Sequence, residues 1–184
     1  MEKYKIVITG GAGFIGSHIC EEIYKAFPKC QIIILDKLTY AGNKKYLKNI
    51  IRSPRVKFHK IDILKIKTYS HLLKDIDLAI NVAAESHVGN SWQAPLTFSN
   101  TNTLGAHTFL LKCIETKVKK IIQISTDEVY GEKIKGSCSE NDKIEPTNPY
   151  SASKAAAEIF INSYKYSYKQ EIITVRGNNV YGIR

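Results

Sequence analysis

The chain has 184 residues, of which 43% are hydrophobic and 24% are charged, which suits one ordinary globular domain over residues 1–184. No apolar run approaches the roughly 20 residues that a membrane span needs, so we expect no membrane partner. The net charge of +10 raises the possibility of nucleic-acid binding, but only 4 of the 27 basic residues are Arg and the lysines are scattered. We therefore expect no nucleic-acid partner, and a lysine-rich surface that can attract anionic ligands such as nucleotides.

The cysteines, Cys20, Cys30, Cys113 and Cys138, are scattered along the chain and have no His partners at zinc-ligand spacing. We interpret them as reduced thiols, and we expect no metal site. The N-terminal residues enter a strand pattern directly, without the anatomy of a signal peptide. These features predict a cytoplasmic protein.

Short apolar runs rich in β-branched residues alternate with amphipathic stretches along the chain. The predicted strands are residues 4–9, 31–36, 56–62, 77–83, 120–125 and 171–176, and the predicted helices are residues 14–26, 65–74, 95–116 and 149–168. Alternating strands and helices, with strands that are apolar nearly throughout, predict an α/β fold with a doubly wound parallel sheet, the Rossmann fold. The one long irregular stretch, residues 131–148, is a candidate functional loop.

A glycine motif joins the first predicted strand to the first predicted helix. Gly10, Gly13 and Gly16 permit a tight turn and let backbone N–H groups approach a pyrophosphate at the helix N-terminus. Phe14 and Ile15 lie in the same turn and are expected to contact the same ligand. The motif therefore predicts a dinucleotide site.

Asp36 ends the second predicted strand, 20 residues after Gly16. A carboxylate there can bind an adenosine ribose hydroxyl and repel a 2′-phosphate, which predicts NAD rather than NADP, although the neighbouring Lys37 can soften that choice. Ligands of such sheets bind at the C-terminal ends of the strands. The other residues expected to contact the cofactor there are Lys37, Thr39, Asp62, Ile63, Ala83, Ala84 and Ser125. Asp62 can equally cap a helix.

The sequence NPYSASKAAAE predicts a helix that begins after Asn148, with Tyr150 and Lys154 on one face at positions i and i+4. A neighbouring ammonium and a nicotinamide cation both favour the phenolate, so we expect the pKa of Tyr150 to be lowered. Such a tyrosine can take a proton from a sugar hydroxyl while hydride leaves for NAD. The spacing alone is usually structural, but after a dinucleotide motif it predicts a redox site in which both residues also contact the cofactor.

Six motifs carry a family resemblance: TGGAGFIGSH, LDKLTYAGN, AAESHV, STDEVYG, YSASKAAAE and NNVYG. The chain resembles, along its whole length, the nucleotide-sugar 4,6-dehydratases, extended short-chain dehydrogenases typified by dTDP-glucose 4,6-dehydratase. Asp-Glu after Ser-Thr separates that family from the epimerases and decarboxylases that share its fold. The stretch RGNNVYG is also similar to the branch that uses UDP-glucose, so both dTDP-glucose and UDP-glucose are candidate substrates.

The resemblance implies a lyase that removes water in a cycle of oxidation, elimination and reduction. Tyr150, helped by Thr126 and Lys154, would deprotonate the C4 hydroxyl of glucose as hydride leaves for NAD. Glu128 would then remove the C5 proton while Asp127 protonates the departing C6 hydroxyl, and the hydride would return to C6. Two close carboxylates repel, which favours one protonated and one ionised group. In an ideal strand Asp127 points away from Thr126 and Glu128, so a shared site requires a bend in the backbone.

The resemblance also implies substrate contacts from Ser86, His87 and Asn179, although the first two can form a polar loop and the third a turn. The helices 95–116 and 149–168 match those of a homodimer interface in the family, or they simply cover the sheet. Family members continue beyond NNVYG into a substrate-binding C-terminal lobe, which we expect to be missing here. An impaired NAD-binding module and a small reductase are therefore alternatives to an active dehydratase.

Overall fold

The computed structural model describes residues 4–183, which form a six-stranded sheet flanked by helices. The strands are β1 Lys5–Thr9, β2 Gln31–Asp36, β3 Val56–Lys60, β4 Leu78–Asn81, β5 Lys120–Thr126 and β6 Ile172–Gly177. All pairings are parallel, and the strands lie in the order β3-β2-β1-β4-β5-β6. The predicted doubly wound Rossmann sheet is confirmed, and each strand ends within two residues of its predicted bounds.

The α-helices of the described residues are α1 Phe14–Ala26, α2 Val88–Gln93, α3 Pro95–Phe98, α4 Ala106–Glu115 and α5 Pro149–Tyr168. Two of them, α1 and α5, have their predicted bounds. The start of α5 is well defined because the Asn148 side chain accepts a hydrogen bond from the Ser151 N–H, and Pro149 occupies the first helical position. The short helix α2 was not predicted.

The predicted helix at 65–74 is wrong, because two short 3₁₀ turns, Ile66–Thr68 and Ser70–Leu73, occupy this stretch. Between them Tyr69 turns its ring into the core and donates a hydrogen bond to the Ile63 carbonyl at 2.6 Å. Burial of this ring in the core and its bond to Ile63 accompany the break in the helical pattern.

The predicted helix at 95–116 is helical but is not one α-helix. A π-helical segment, Ser99–Gly105, joins α3 to α4. Within it Asn102 is buried and exchanges two hydrogen bonds with the backbone of Glu85. The helical register therefore widens where a side chain reaches across to the loop after β4.

Alternate residues of the central strands enter two separate cores, one on each face of the sheet. Val7 and Ile33 pack with residues of α4 and α5, whereas Ile8 and Ile34 pack on the α1 side. Because both faces are covered, the strands are apolar on both sides. The polar groups of the site are consequently restricted to the ends of the strands.

Candidate active site

A cleft of about 500 Å³ opens at the C-terminal edge of the sheet, between the glycine turn and the start of α5. Every predicted site residue lies within the described residues, and among them only Asp127 and His87 lie outside the lining of this cleft. The predicted residues that line it are Gly10, Gly13, Phe14, Ile15, Gly16, Asp36, Lys37, Thr39, Asp62, Ile63, Ala83, Ala84, Ser86, Ser125, Thr126, Glu128, Tyr150, Lys154 and Asn179. The cleft thus contains groups from both ends of the sequence.

The glycine turn is packed too tightly for side chains. A Cβ on Gly16 would lie 2.1 Å from the Gly10 carbonyl oxygen, and one on Gly10 would lie 2.6 Å from the Ala83 nitrogen. Gly10 also has a φ of +65°, which favours glycine. Gly13 is the N-cap of α1 and, having no side chain, leaves the first N–H groups of the helix to the cleft. This arrangement fits an anionic group such as a pyrophosphate.

Asp36 connects the glycine turn to the end of β2. Its buried carboxylate accepts hydrogen bonds from the Ala12 N–H at 2.8 Å and the Leu38 N–H at 2.7 Å. Each oxygen keeps a further lone pair, so the carboxylate can still accept from a ribose hydroxyl. The negative charge is therefore fixed in place beside the cleft.

Lys37 pairs with Asp62, with 2.8 Å between Nζ and Oδ2. Burial acts to raise the pKa of Asp62, but Lys37 and the Leu64 N–H together outweigh it and hold the pKa below its usual value. In this structure the Lys37 ammonium therefore contacts Asp62, just after the end of the neighbouring strand β3.

The backbone bends after β5, as a shared site requires. A 3₁₀ turn, Asp127–Tyr130, follows the strand directly. The Thr126 hydroxyl accepts from the Glu128 N–H and donates to the Asp127 carboxylate, both at 3.3 Å. The bend brings Thr126 and Glu128 to the cleft, while Asp127 lies beside it.

Tyr150 and Lys154 line the cleft opposite the glycine turn. The expected lowering of the Tyr150 pKa is wrong when only the groups of this chain act on it. Burial raises the pKa of Tyr150, and the hydrogen bond with Thr126 only partly opposes it. The Lys154 ammonium donates instead to the Ile124 carbonyl at 2.6 Å. Burial lowers the pKa of Lys154 to about 8, against the opposing effect of Glu158.

A buried ion pair that the sequence did not suggest holds the base of the cleft. Glu158 accepts from the Ser125 hydroxyl at 2.5 Å and from the Arg176 guanidinium at 2.6–3.2 Å. Arg176 also donates to the Tyr130 hydroxyl at 2.7 Å. The pair joins α5, β5, β6 and the 3₁₀ turn. One available signal was that Glu158 lies one helical turn after Lys154 on the buried face of α5.

The three predicted substrate residues have different positions. Ser86 and Asn179 line the cleft. His87 is exposed at the N-cap of α2, where its Nδ1 accepts from the Asn90 N–H at 3.3 Å. The substrate contact of His87 stays a prediction. Glu85, which was not predicted, also lines the cleft, and burial raises the pKa of its carboxyl group.

A parallel Rossmann sheet whose cleft joins a glycine turn to a Tyr-x-x-x-Lys helix is the arrangement expected of the extended short-chain dehydrogenases. The chain belongs to the GDP-mannose 4,6-dehydratase family, which it matches over residues 7–184. It is 42% identical to a dTDP-D-glucose 4,6-dehydratase of Dictyostelium discoideum, over 97% of this chain and 44% of the relative. It is 43% identical to a trifunctional UDP-glucose 4,6-dehydratase of Arabidopsis thaliana, over 96% of this chain and 27% of the relative.

Solved structures are also similar to this chain. A dTDP-glucose 4,6-dehydratase from Streptomyces venezuelae with NAD bound has a TM-score of 0.90 at 36% identity, over 94% of this chain and 55% of that chain. A UDP-glucuronic acid 4-epimerase from Bacillus cereus in complex with NAD has a TM-score of 0.86 at 32% identity, over 97% of this chain and 57% of that chain. The chain thus spans about a quarter to a half of the length of the two relatives and just over half of these two structures. The dehydratase resemblance is confirmed.

None of the helices within residues 4–183 is long and apolar enough to cross a membrane. The same residues contain no group of three or more His, Cys, Asp or Glu side chains arranged to hold a metal ion.

The buried ammonium of Lys154 predicts a pH-dependent stability. Its pKa of about 8 in the folded chain lies below the value of about 10.4 for an exposed lysine. Between these values the unfolded chain binds more protons, so the free energy of unfolding should rise with pH. Relative to Lys154→Met, the unmodified chain should gain up to about 3 kcal/mol over this window. Denaturant unfolding at a series of pH values measures the difference, and a flat or falling difference would contradict the burial of the charge.

Proposed function

We propose that the chain binds NAD in its cleft and supplies the reacting groups of a nucleotide-sugar 4,6-dehydratase. The proposal rests on one observation, that a single cleft contains both the residues expected to bind NAD and the residues expected to react. The glycine turn and Asp36 lie on one side, and Thr126, Glu128 and Tyr150 on the other. The NAD-bound structures of similar proteins support the cofactor assignment.

The residues of the cleft fit a dinucleotide. The glycine turn leaves room for a pyrophosphate beside the N-terminus of α1, and Asp36 offers an acceptor for ribose. NAD, when bound, supplies the hydride acceptor and donor of the reaction. Asp62 and Ile63 line the same end of the cleft, and we assign them to the adenine side.

The cofactor assignment predicts a preference for NAD over NADP. The fixed carboxylate of Asp36 repels a 2′-phosphate, and the neighbouring Lys37 is paired with Asp62. Bound ligand stabilises the folded state according to its affinity, so NAD should raise the melting temperature more than NADP at equal concentration. Lys37→Met is the matched control and should keep the preference. A larger shift with NADP would contradict the assignment.

The chemistry begins with Tyr150, whose phenolate takes the proton of the C4 hydroxyl as that carbon is oxidised to a ketone by loss of hydride. Burial raises the pKa of Tyr150, so the phenolate would depend on the positive charge of the nicotinamide when NAD is bound. The ketone acidifies the neighbouring C5–H, and Glu128 removes that proton. Asp127 donates a proton to the C6 hydroxyl, which leaves as water and gives a C5–C6 double bond. Hydride returns to C6 and a proton to C5, so the net change is the loss of one water from the sugar. Thr126, which lines the cleft with Tyr150 and acts to lower its pKa, would help the phenol in this step.

The substrate is proposed only as a class, because a dTDP-glucose enzyme and a UDP-glucose enzyme are both among the similar proteins. The alternative is an NAD-binding module without turnover. A small reductase on the same cofactor domain is a further alternative. These three functions differ in the product they form.

Incubation with NAD and either dTDP-glucose or UDP-glucose should yield the 4-keto-6-deoxy sugar nucleotide. Tyr150→Phe should lower kcat at least about 100-fold because it removes the proton acceptor. Tyr46→Phe, outside the cleft, is the control and should be unaffected. Chromatography of the products measures the reaction. Absence of product with both sugars, despite NAD binding, would favour the module, and ketone-dependent consumption of NADH without dehydration would favour the reductase.

We further propose that the chain forms a homodimer through helices 95–116 and 149–168. Large apolar side chains of these helices point to solvent, with exposed fractions of 76% for Leu96, 51% for Leu104, 65% for Ile159 and 89% for Tyr166. A stripe of this kind on two adjacent helices is typical of an interface. The cleft lies on the edge of the sheet, so an interface there leaves it open.

Light scattering should show a dimer for the unmodified chain. The double variant Leu104→Glu with Ile159→Glu should be monomeric, because it places two charges in the apolar contact. Phe27→Glu replaces an exposed apolar residue after the end of α1 and serves as the control that should remain dimeric. A monomeric unmodified chain would contradict the proposal.

We propose a cytoplasmic location from the state of the cysteines. Within residues 4–183, Cys20, Cys30, Cys113 and Cys138 form no disulfide, and the first three are buried. Burial raises the pKa of Cys113 and keeps it in the thiol form. Cysteines outside disulfides suit a reducing compartment.

A further inference from the structure

Asn148 makes two different contacts with the two ends of its side-chain amide. Its Oδ1 accepts from the Ser151 N–H at 2.8 Å, which caps α5, and the Ser151 hydroxyl accepts from the Asn148 N–H at 3.2 Å. Its Nδ2 donates to Oε2 of Glu128 at 2.9 Å. The residue that begins α5 therefore also holds the carboxylate of the proposed base, which lies 20 residues earlier in the chain.

The orientation of this amide is determined by the helix cap. A backbone N–H can only donate, so the end of the amide that faces Ser151 must be the oxygen. The NH₂ end must then face Glu128, and because it also can only donate, the carboxylate must accept. A flipped amide would lose both hydrogen bonds. The helix cap thus determines that the NH₂ end of the Asn148 amide is the group that contacts the Glu128 carboxylate.

The contact links two proposed reacting groups. The Glu128 N–H donates to the Thr126 hydroxyl, and Thr126 is close enough to Tyr150 to oppose the rise of its pKa. Tyr150 lies two residues after Asn148 in the first turn of α5. Glu128 is therefore bonded to the residue that begins the helical turn carrying Tyr150.

We infer that Asn148 is a positioning residue for the elimination step: it holds Glu128 in register with Tyr150, so that the sugar oxidised at C4 presents its C5 proton to the base. The inference rests on the proposed dehydratase function. Asn148 itself transfers no proton. Because proton transfer is sensitive to the placement of the base, losing the contact should act on kcat and leave the binding of NAD and sugar nucleotide unchanged.

Asn148→Ser tests the inference because serine caps a helix about as well as asparagine but has no NH₂ group to offer Glu128. It should lower kcat about 10- to 100-fold, with KM, the thermal shift by NAD and the melting temperature little changed. Ser151→Ala is the matched control: it removes the other half of the capping box and keeps the Asn148–Glu128 contact. It should lower the melting temperature by a few degrees and leave kcat within about threefold.

The contact can also be observed without turnover. In the nitrogen-labelled protein, the side-chain amide signal of Asn148 is identified by its loss in Asn148→Ser. It should shift in Glu128→Ala and stay in place in Asp127→Ala.

Any of three results would overturn the inference. They are an unchanged kcat in Asn148→Ser, a loss of kcat in Ser151→Ala as large as that in Asn148→Ser, and an Asn148 amide signal that does not shift in Glu128→Ala. An unmodified chain that forms no product overturns the proposed function and this inference together. Product from the unmodified chain together with an unaffected Asn148→Ser overturns the inference alone.

Discussion

The candidate site depends on the attachment of helix α5 to the end of strand β5. Three hydrogen bonds make this attachment: Lys154 Nζ to the Ile124 carbonyl at 2.6 Å, the Ser125 hydroxyl to Glu158 at 2.5 Å and Asn148 Nδ2 to Glu128 at 2.9 Å. Two of them involve buried charged groups, which are costly to leave unpaired. The attachment is therefore specific in register, and it places the phenol, the ammonium and a carboxylate of the proposed reaction around one cleft.

Much of the fold could be predicted from the sequence because its signals are local. Apolar β-branched runs marked the strands, and a capping asparagine followed by Pro149 marked the start of α5. The helix predicted at 65–74 is wrong because the structure there depends on a contact that is not local in the sequence pattern. The periodicity of this stretch predicts a helix, but burial of the Tyr69 side chain and its hydrogen bond to Ile63 bend the chain. Sequence periodicity does not carry information about that contact, which involves the rest of the core.

The same distinction applies to the site. Parallel strands bring their C-terminal ends to one edge, so residues as far apart as Gly10 and Tyr150 could be assigned to one cleft. The properties that depend on the partners of each side chain could not be predicted from the sequence. The pKa of Tyr150 is raised because burial outweighs its hydrogen bond, and His87 caps a helix that was not predicted. The Glu158–Arg176 pair joins residues 18 apart on a helix and a strand, and no spacing rule covers such a pair.

We propose that two groups on the same side of this cleft divide the chemistry, with Tyr150 serving oxidation at C4 and Glu128 serving the elimination that follows. The most direct test is the absorbance of reduced nicotinamide when Glu128→Gln is mixed with NAD and the sugar nucleotide. With its elimination base removed and Tyr150 intact, this variant should accumulate reduced nicotinamide and form little 4-keto-6-deoxy product. Product formation at the rate of the unmodified chain, or no reduced nicotinamide at all, would contradict the account.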